Sequence, residues 1–310
     1  MASEPVHVPV LLDEVVATFR AALGPASSGV YVDATIGAGG HAAVLLDEFA
    51  GLELLGFDWD PDSLAEAERN LARFGARVTL DRSPLAEVEA AVARHTDRRP
   101  LGLMADLGVC SLHLDRADRG FSFQADGPLD MRMRPDAETT AAEIVNHWSE
   151  QALADLFFEE GGERRSRRAA AAIVQARRRA SFQRTLPLAD VIENALGPGG
   201  KTHAATRCFQ ALRRAVNDEG PQLDAGLSAA ERLLAPGGLL CLITFHSGED
   251  GVVKRFLRDA RRDGVFAELE RGAVAPERSE QRRNRRARSA RLRSALRTEQ
   301  PARAAGEGRS

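Results

Sequence analysis

The chain has 310 residues, 44% of them hydrophobic, and a net charge of −3, which suffices for a substantial core in one large domain with an insertion or in two domains. The near-neutral balance selects no class of partner. The three cysteines, Cys110, Cys208 and Cys241, are far apart and form no C-x-x-C pair, which argues against a zinc site and a disulfide framework.

Along the chain, helical spacing predicts a helix over 10–23, and the opening MASEPVHVPVLLDEVV has neither a basic start nor a long apolar core. No apolar run approaches the roughly 20 residues needed to cross a bilayer, so no membrane contact and a cytoplasmic location are expected. A buried strand is predicted over 30–34, a glycine turn after it, and a helix over 42–49. A second strand over 52–57 ends at Asp58, and Pro-Asp opens a helix over 61–74. A third strand (77–80), a helix (85–93) and a fourth strand (101–107) carrying Asp106 near its end follow. This alternation implies an α/β fold with a parallel sheet. From about 115 to 215 strand-like runs give way to helical segments at 141–146, 150–160, 164–179, 188–196 and 203–216. The α/β pattern returns with a helix over 223–234, ended by Ala235-Pro236-Gly237-Gly238, a strand over 239–245 and a helix over 251–262. The expected organisation is therefore an α/β domain made of 1–114 and 216–297, a helical insertion over 115–215 and a flexible tail over 298–310.

Two stretches are strongly basic. Residues 163–179 carry seven arginines and one glutamate, and residues 278–297 carry nine arginines and one glutamate. They suit a polyanionic partner, or are solvated helix faces.

Gly37-Ala38-Gly39-Gly40-His41-Ala42 fits the G-x-G-x-x-G/A pattern, with Asp58 at a distance suited to a ribose hydroxyl. Taken alone, the pattern is compatible with a plain strand-to-helix turn, with NAD or with S-adenosylmethionine. Asp33, just before the glycines, would repel a pyrophosphate but suits a cationic amino-acid ligand. The run 233–240, Leu-Leu-Ala-Pro-Gly-Gly-Leu-Leu, resembles the late helix–turn–strand entry of class I methyltransferases. Asp106-Leu107-Gly108-Val109 stands where amino-group methyltransferases carry an acidic or amide residue.

Longer blocks carry a closer resemblance. HVPVLLDEVV (7–16), YVDATIGAGGH (31–41), GFDWDP (56–61), RADRGFSFQADGPLDMRM (116–133), CFQALRRAVNDE (208–219), LAPGGLLCLITFHSGEDGVVKRF (234–256) and RARSARLR (286–293) resemble the bacterial 16S rRNA cytosine-N4-methyltransferase family, RsmH or MraW. The resemblance runs from about residue 7 to 297. It implies a class I S-adenosylmethionine-dependent methyltransferase fold, Rossmann-like, with an inserted helical domain for substrate recognition. It implies S-adenosyl-L-methionine as donor, and as substrate the N4 amine of one cytidine in the decoding region of 16S rRNA in the small ribosomal subunit. By matching motif, the donor-binding positions would be Gly39, Gly40, His41, Asp58, Leu85, Asp106 and His113. The chain departs from the family pattern at Leu112 and His113, where proline and glutamine are usual, and at Gly248 and Gly251.

Several roles stay open from the residues alone. Asp106 either accepts the hydrogens of the reacting amine, as a catalytic group, or binds the donor. Asp33 is a donor ligand or a turn residue. His246 and Ser247 contact the target base or satisfy a turn. Phe121 and Phe123 stack on a base or pack in the core, and Cys110, His7 and His203 read as ordinary residues. No metal-ligand spacing is present. The rival readings are an NAD-dependent oxidoreductase and a non-catalytic RNA-binding assembly protein.

Overall fold

The computed structural model describes residues 9–108, 116–200 and 202–303. The described residues up to Gly108 and from Gly220 onward form one compact unit, and those between them, to Glu219, form a second.

The first unit is built on a seven-stranded sheet in the order β3-β2-β1-β4-β5-β7-β6. Strands β1 (Ser28–Asp33), β2 (Gly51–Asp58), β3 (Val78–Arg82), β4 (Gly102–Asp106) and β5 (Leu239–Thr244) run parallel, and β7 (Arg291–Arg297) is antiparallel to β5 and to β6 (Phe266–Glu268). The central strands are apolar on both faces because helices cover both. The period of two sorts their side chains: Val30, Val32, Leu103, Ala105, Leu240 and Leu242 enter one core, while Tyr31, Met104, Cys241 and Ile243 enter the other. The first core takes its helical half from α4 (Val88–Ala93), α10 (Glu219–Leu233) and α11 (Ser247–Arg262); the second from α1 (Leu12–Leu23), α2 (Gly40–Glu48) and α3 (Pro61–Leu71). This is the doubly covered, Rossmann-like sheet that the alternation predicts. The strand order reverses between β1 and β4, which makes the crevice at their carboxyl ends the natural ligand site of the fold.

The second unit is helical: α5 (Ala141–His147), α6 (Glu150–Glu159), α7 (Ser166–Arg177), α8 (Thr185–Leu196) and α9 (Thr206–Val216). Its starts are written in local chemistry. The Thr140 hydroxyl accepts from Glu143 N at 3.2 Å, and the Ser149 hydroxyl from Ala152 N at 3.1 Å, each satisfying an end amide the helix leaves unbonded. Helix α7 buries Ala169, Ala170 and Ile173 and leaves Arg167 and Arg168 exposed.

Three expectations need correction. Strands β6 and β7 were not anticipated, because the arginines of RLRSALR mask a strand buried on both faces, Leu292 entering one core and Ala295 the other. The stretch 278–297 is consequently not one basic surface. Arg293 makes a two-pronged pair with Asp250 at 2.8 and 3.0 Å, and buried Arg297 donates to the carbonyls of Glu231, Val265, Thr298 and Gln300. Nor is the tail loose from 298: Arg303 pairs with Glu231 and its guanidinium lies 5.1 Å from the Phe256 ring centre.

Arg297→Ala removes a buried guanidinium that bonds four carbonyls on and beside the end of β7. It is expected to cost about 3 kcal/mol of unfolding free energy, read as a lower denaturant midpoint at unchanged slope. Arg278→Ala, at an exposed position, is expected to leave the midpoint where it was.

Candidate functional site

The glycine turn links β1 to α2. Gly39 has φ +79°, a region costly for residues with a Cβ, and a Cβ on Gly40 would stand 2.6 Å from Pro9 Cγ. Glycine is therefore required at both positions, one for conformation and one for close approach. The Gly37 amide donates to Asp58 Oδ2 at 3.0 Å, and Asp60 N donates to Asp58 Oδ1 at 3.0 Å. Two backbone donors thus fix the Asp58 carboxylate at the end of β2, and a carboxylate has lone pairs for about four hydrogen bonds, enough to take a diol as well.

His41 lies buried in the first turn of α2, with Nε2 2.9 Å from the Val10 carbonyl oxygen. That contact ties the glycine turn to the segment entering α1. The other ring nitrogen, Nδ1, is 4.0 Å from Asp106 Oδ2.

Asp33 and Asp106 end the adjacent strands β1 and β4. Asp33 is buried, and its Oδ1 accepts from Thr35 N at 3.2 Å. Thr35 Oγ1 in turn accepts from Asp106 N at 2.7 Å, so this hydroxyl, which sequence reading overlooked, locks the two strand ends together. Asp106 Oδ1 is enclosed and has no hydrogen-bond partner among the described residues. Burial pushes the Asp33 carboxyl up to about 7, aided by Asp58 and opposed by the Thr35 amide. Burial, then the charges of Asp33 and Glu249, push Asp106 well above the usual carboxylate range. Each acid raises the other's affinity for a proton, so they titrate as a coupled set.

His246 follows β5 and opens α11. Its Nδ1 accepts from Gly248 N at 3.2 Å and Glu249 N at 3.3 Å, making the ring the helix cap. This imidazole cap explains why α11 begins at Ser247 and not near Gly251 as expected. The ring thereby satisfies the turn, one of the two roles the residues alone leave open for His246. Glu249, which sequence reading missed, is buried beside it.

The remaining expected positions fall elsewhere. Leu85 begins a short 3-10 turn after β3 and packs on α10, where a Cβ on Gly226 would meet its Cγ at 2.5 Å. It is partly buried against the core, and Ser83, two residues earlier, is a buried polar group near Asp58: its amide donates to the Asp58 carbonyl at 3.1 Å, and its Oγ has no partner among the described residues. His113, Leu112 and Cys110 lie outside the described residues. In the helical unit Phe121 is buried, whereas Phe123 sits 4.7 Å from both the His203 and Phe209 ring centres, beside a cavity of about 420 Å³ that it lines with Leu186, Asp190 and Thr206.

The crevice thus presents an acid set for a diol and a buried acid pair facing no arginine or lysine partner among the described residues. An anionic pyrophosphate would meet repulsion from Asp33 and Asp106. A cationic nucleoside meets attraction, and S-adenosylmethionine, with its ammonium, sulfonium and ribose, fits the residues present.

Asp33 carries a stability consequence. Its pKa in the folded chain, about 7, exceeds the ordinary value of 3.8. The folded state therefore binds the proton more tightly, and stability falls as pH rises from about 4 through about 7. Asp33→Asn is expected to raise the thermal midpoint of the unliganded protein at pH 8 and to leave it nearly unchanged at pH 4, as scanning calorimetry would show.

Comparison with known proteins agrees with this chemistry. Residues 4–298 match the MraW methylase family. A Ribosomal RNA small subunit methyltransferase H from Methylobacterium sp. (strain 4-46) is 44% identical over 96% of this chain and 92% of its own. Proteins of the same name from Sorangium cellulosum (strain So ce56) and Rhodospirillum centenum (strain ATCC 51521 / SW) are 47% and 46% identical, covering 94% and 97% of this chain and 90% and 95% of theirs. The match extends over both units and over every block that carries the crevice, and the chain belongs to the MraW methylase family of S-adenosylmethionine-dependent methyltransferases.

Proposed function

We propose that this protein transfers the methyl group of S-adenosyl-L-methionine to the N4 amine of a cytidine in the decoding region of 16S rRNA, acting on the small ribosomal subunit in the cytoplasm. The observation that carries the reading is the buried acid pair Asp33–Asp106 beside the glycine turn, which has no arginine or lysine partner among the described residues. Family membership and the name of the relatives, Ribosomal RNA small subunit methyltransferase H, support the choice of substrate. Among the described residues no helix is long and apolar enough to cross a membrane.

Donor-binding roles follow from position. Asp58 would take the ribose hydroxyls. The first-turn amides of α2 at Gly40 and His41, which lack intrahelical acceptors, would take the amino-acid carboxylate, and Asp33 its ammonium. Asp106 would face the sulfonium, with His113 and Leu85 as further family-derived donor contacts. When bound, the donor supplies an electrophilic methyl group.

A cytosine N4 is a weak nucleophile because its lone pair is delocalised into the ring. The protein's contribution is therefore mainly positioning: holding the amine in line with the methyl carbon and accepting its hydrogens so that the nitrogen pyramidalises. A base acted on at N4 must be unpaired or extruded. RNA held that way is gripped through phosphates and stacking. The exposed arginines of the helical unit, Arg164, Arg167, Arg168, Arg178 and Arg179, suit the phosphates. This assigns residues 115–215 to substrate recognition.

Two measurements test the proposal. Labelled methyl transfer to small subunits from cells lacking the enzyme is expected to yield N4-methylcytidine at one site, lost with Asp106→Ala. Transfer to another base, or RNA binding without transfer, would overturn it, the latter in favour of an assembly protein. The double variant Arg167→Ala/Arg168→Ala is expected to weaken RNA binding and to reduce the slope of log K against log salt by about 2, with donor affinity unchanged.

A further inference from the structure

Glu249 has no role in the donor-binding arrangement described above, yet it is one of the most constrained acids in the chain. It is buried to 4% exposure in the first turn of α11. Its Oε2 accepts from Phe245 N at 3.1 Å. Its Oε1 is 2.8 Å from His246 Nε2, and 3.8 Å from the point where a Cβ on Gly108 would stand. Asp106 pairs with Ile243 across β4 and β5, so Glu249 and Gly108 both lie just beyond Asp106 at the carboxyl ends of these neighbouring strands. The charge of Glu249 is felt at Asp106.

The orientation of His246 follows from its cap. Nδ1 accepts two backbone amides and so carries no proton, which places the ring hydrogen on Nε2. That Nε2 is enclosed, and its approach to Glu249 is close without being an aligned hydrogen bond. A helix cap needs only an acceptor at the Nδ1 position, which serine, aspartate or asparagine supplies at lower bulk. An imidazole adds a second nitrogen reaching the acid three residues on. A buried carboxylate is costly to maintain without donors, and the Phe245 amide supplies one to this acid while the ring packs against its other oxygen.

We propose that Glu249 is the catalytic group that accepts the proton of the methylated amine, and that His246 is a positioning residue that aims Oε1 toward the space beyond Asp106. The inference rests on the methyl-transfer reading above. In the step, the acceptor nitrogen bonds the methyl carbon as the carbon–sulfur bond breaks and sulfur keeps that electron pair. One N–H bond of the resulting cation then breaks, its electron pair stays on nitrogen, and the proton passes to Glu249 Oε1. The neutral acid returns the proton to solvent as product leaves. Asp106, which a cationic donor holds ionised, is left to fix the other amine hydrogen. The pair divides the work that sequence reading gave to Asp106 alone.

The test uses the full-length protein. Asparagine places its side-chain oxygen at the Nδ1 position, so His246→Asn keeps the cap and removes only the Nε2–H. Single-turnover transfer to undermethylated small subunits is expected to slow roughly 100-fold in Glu249→Gln and roughly tenfold in His246→Asn. Donor affinity by calorimetry and the concentration of subunit giving half-maximal rate are expected to stay within a factor of about three of wild type, and the thermal midpoint of His246→Asn is expected to match that of wild type. Glu249→Asp, which retains the acid one methylene further away, is expected to recover part of the loss. Wild-type turnover in both His246→Asn and Glu249→Gln would overturn the proposal and leave His246 as a cap alone. An arm independent of turnover is the ¹⁵N spectrum of His246: a pyridine-type Nδ1 and a protonated Nε2 are expected, and a proton on Nδ1 would overturn the positioning role even where the wild-type enzyme methylates nothing.

Discussion

The constraint on which the structure turns is the placing of two acids at the ends of neighbouring parallel strands. Asp33 and Asp106 close β1 and β4 where the strand order reverses, and Thr35 Oγ1 holds the two ends together. Like charges at low dielectric repel, and no arginine or lysine among the described residues pairs with them. A fold tolerates such an arrangement when the missing charge belongs to a ligand. The glycine turn, the Asp58 carboxylate fixed by two amides and the buried His41 are arranged around that deficit. Each is fixed by backbone groups, which cannot drift as long side chains do.

Much of this was legible in the sequence, and the reasons differ by element. Strands β1, β2, β4 and β5 are apolar on both faces, so they stand out as short unbroken runs. The glycine turn and Asp58 are close in sequence and obey a spacing that the strand–turn–helix geometry imposes. Strand β7 was hidden because its outward and edge positions are arginines, one of which, Arg297, is buried against four carbonyls. Charge composition mimics a solvated surface when the charges are in fact satisfied by backbone acceptors. The start of α11 was hidden because its cap is a histidine ring, outside the usual set of capping residues. Glu249 could not be singled out, since its meaning depends on meeting Gly108 and the end of β4, more than 140 positions earlier, through strand pairing that no local pattern reveals.

Exposed arginines and arginines bound into the fold separate for the same physical reason, and the stretch 278–297 holds both, with Arg278, Arg282, Arg283 and Arg288 exposed. In α7 the small residues Ala169 and Ala170 face inward and the arginines remain exposed, so the charge is available to a polyanion. In β7 the arginines are drawn into ion pairs and carbonyl contacts, and the charge is spent on the fold. Counting arginines treats these alike; asking which acceptor each guanidinium meets distinguishes a binding surface from a structural edge.

The central claim is that the strand-end acids exist to meet a cation. It is tested most directly by calorimetric titration of the protein with S-adenosylmethionine at pH 6, repeated in buffers of different ionisation enthalpy to count protons. With Asp33 poised at about 7, the account predicts release of close to one proton on binding at pH 6, less at pH 8, and affinity weakening by up to about tenfold per pH unit below 7. NAD is expected not to bind. Binding with no proton release at pH 6, or equal affinity for NAD, would contradict it.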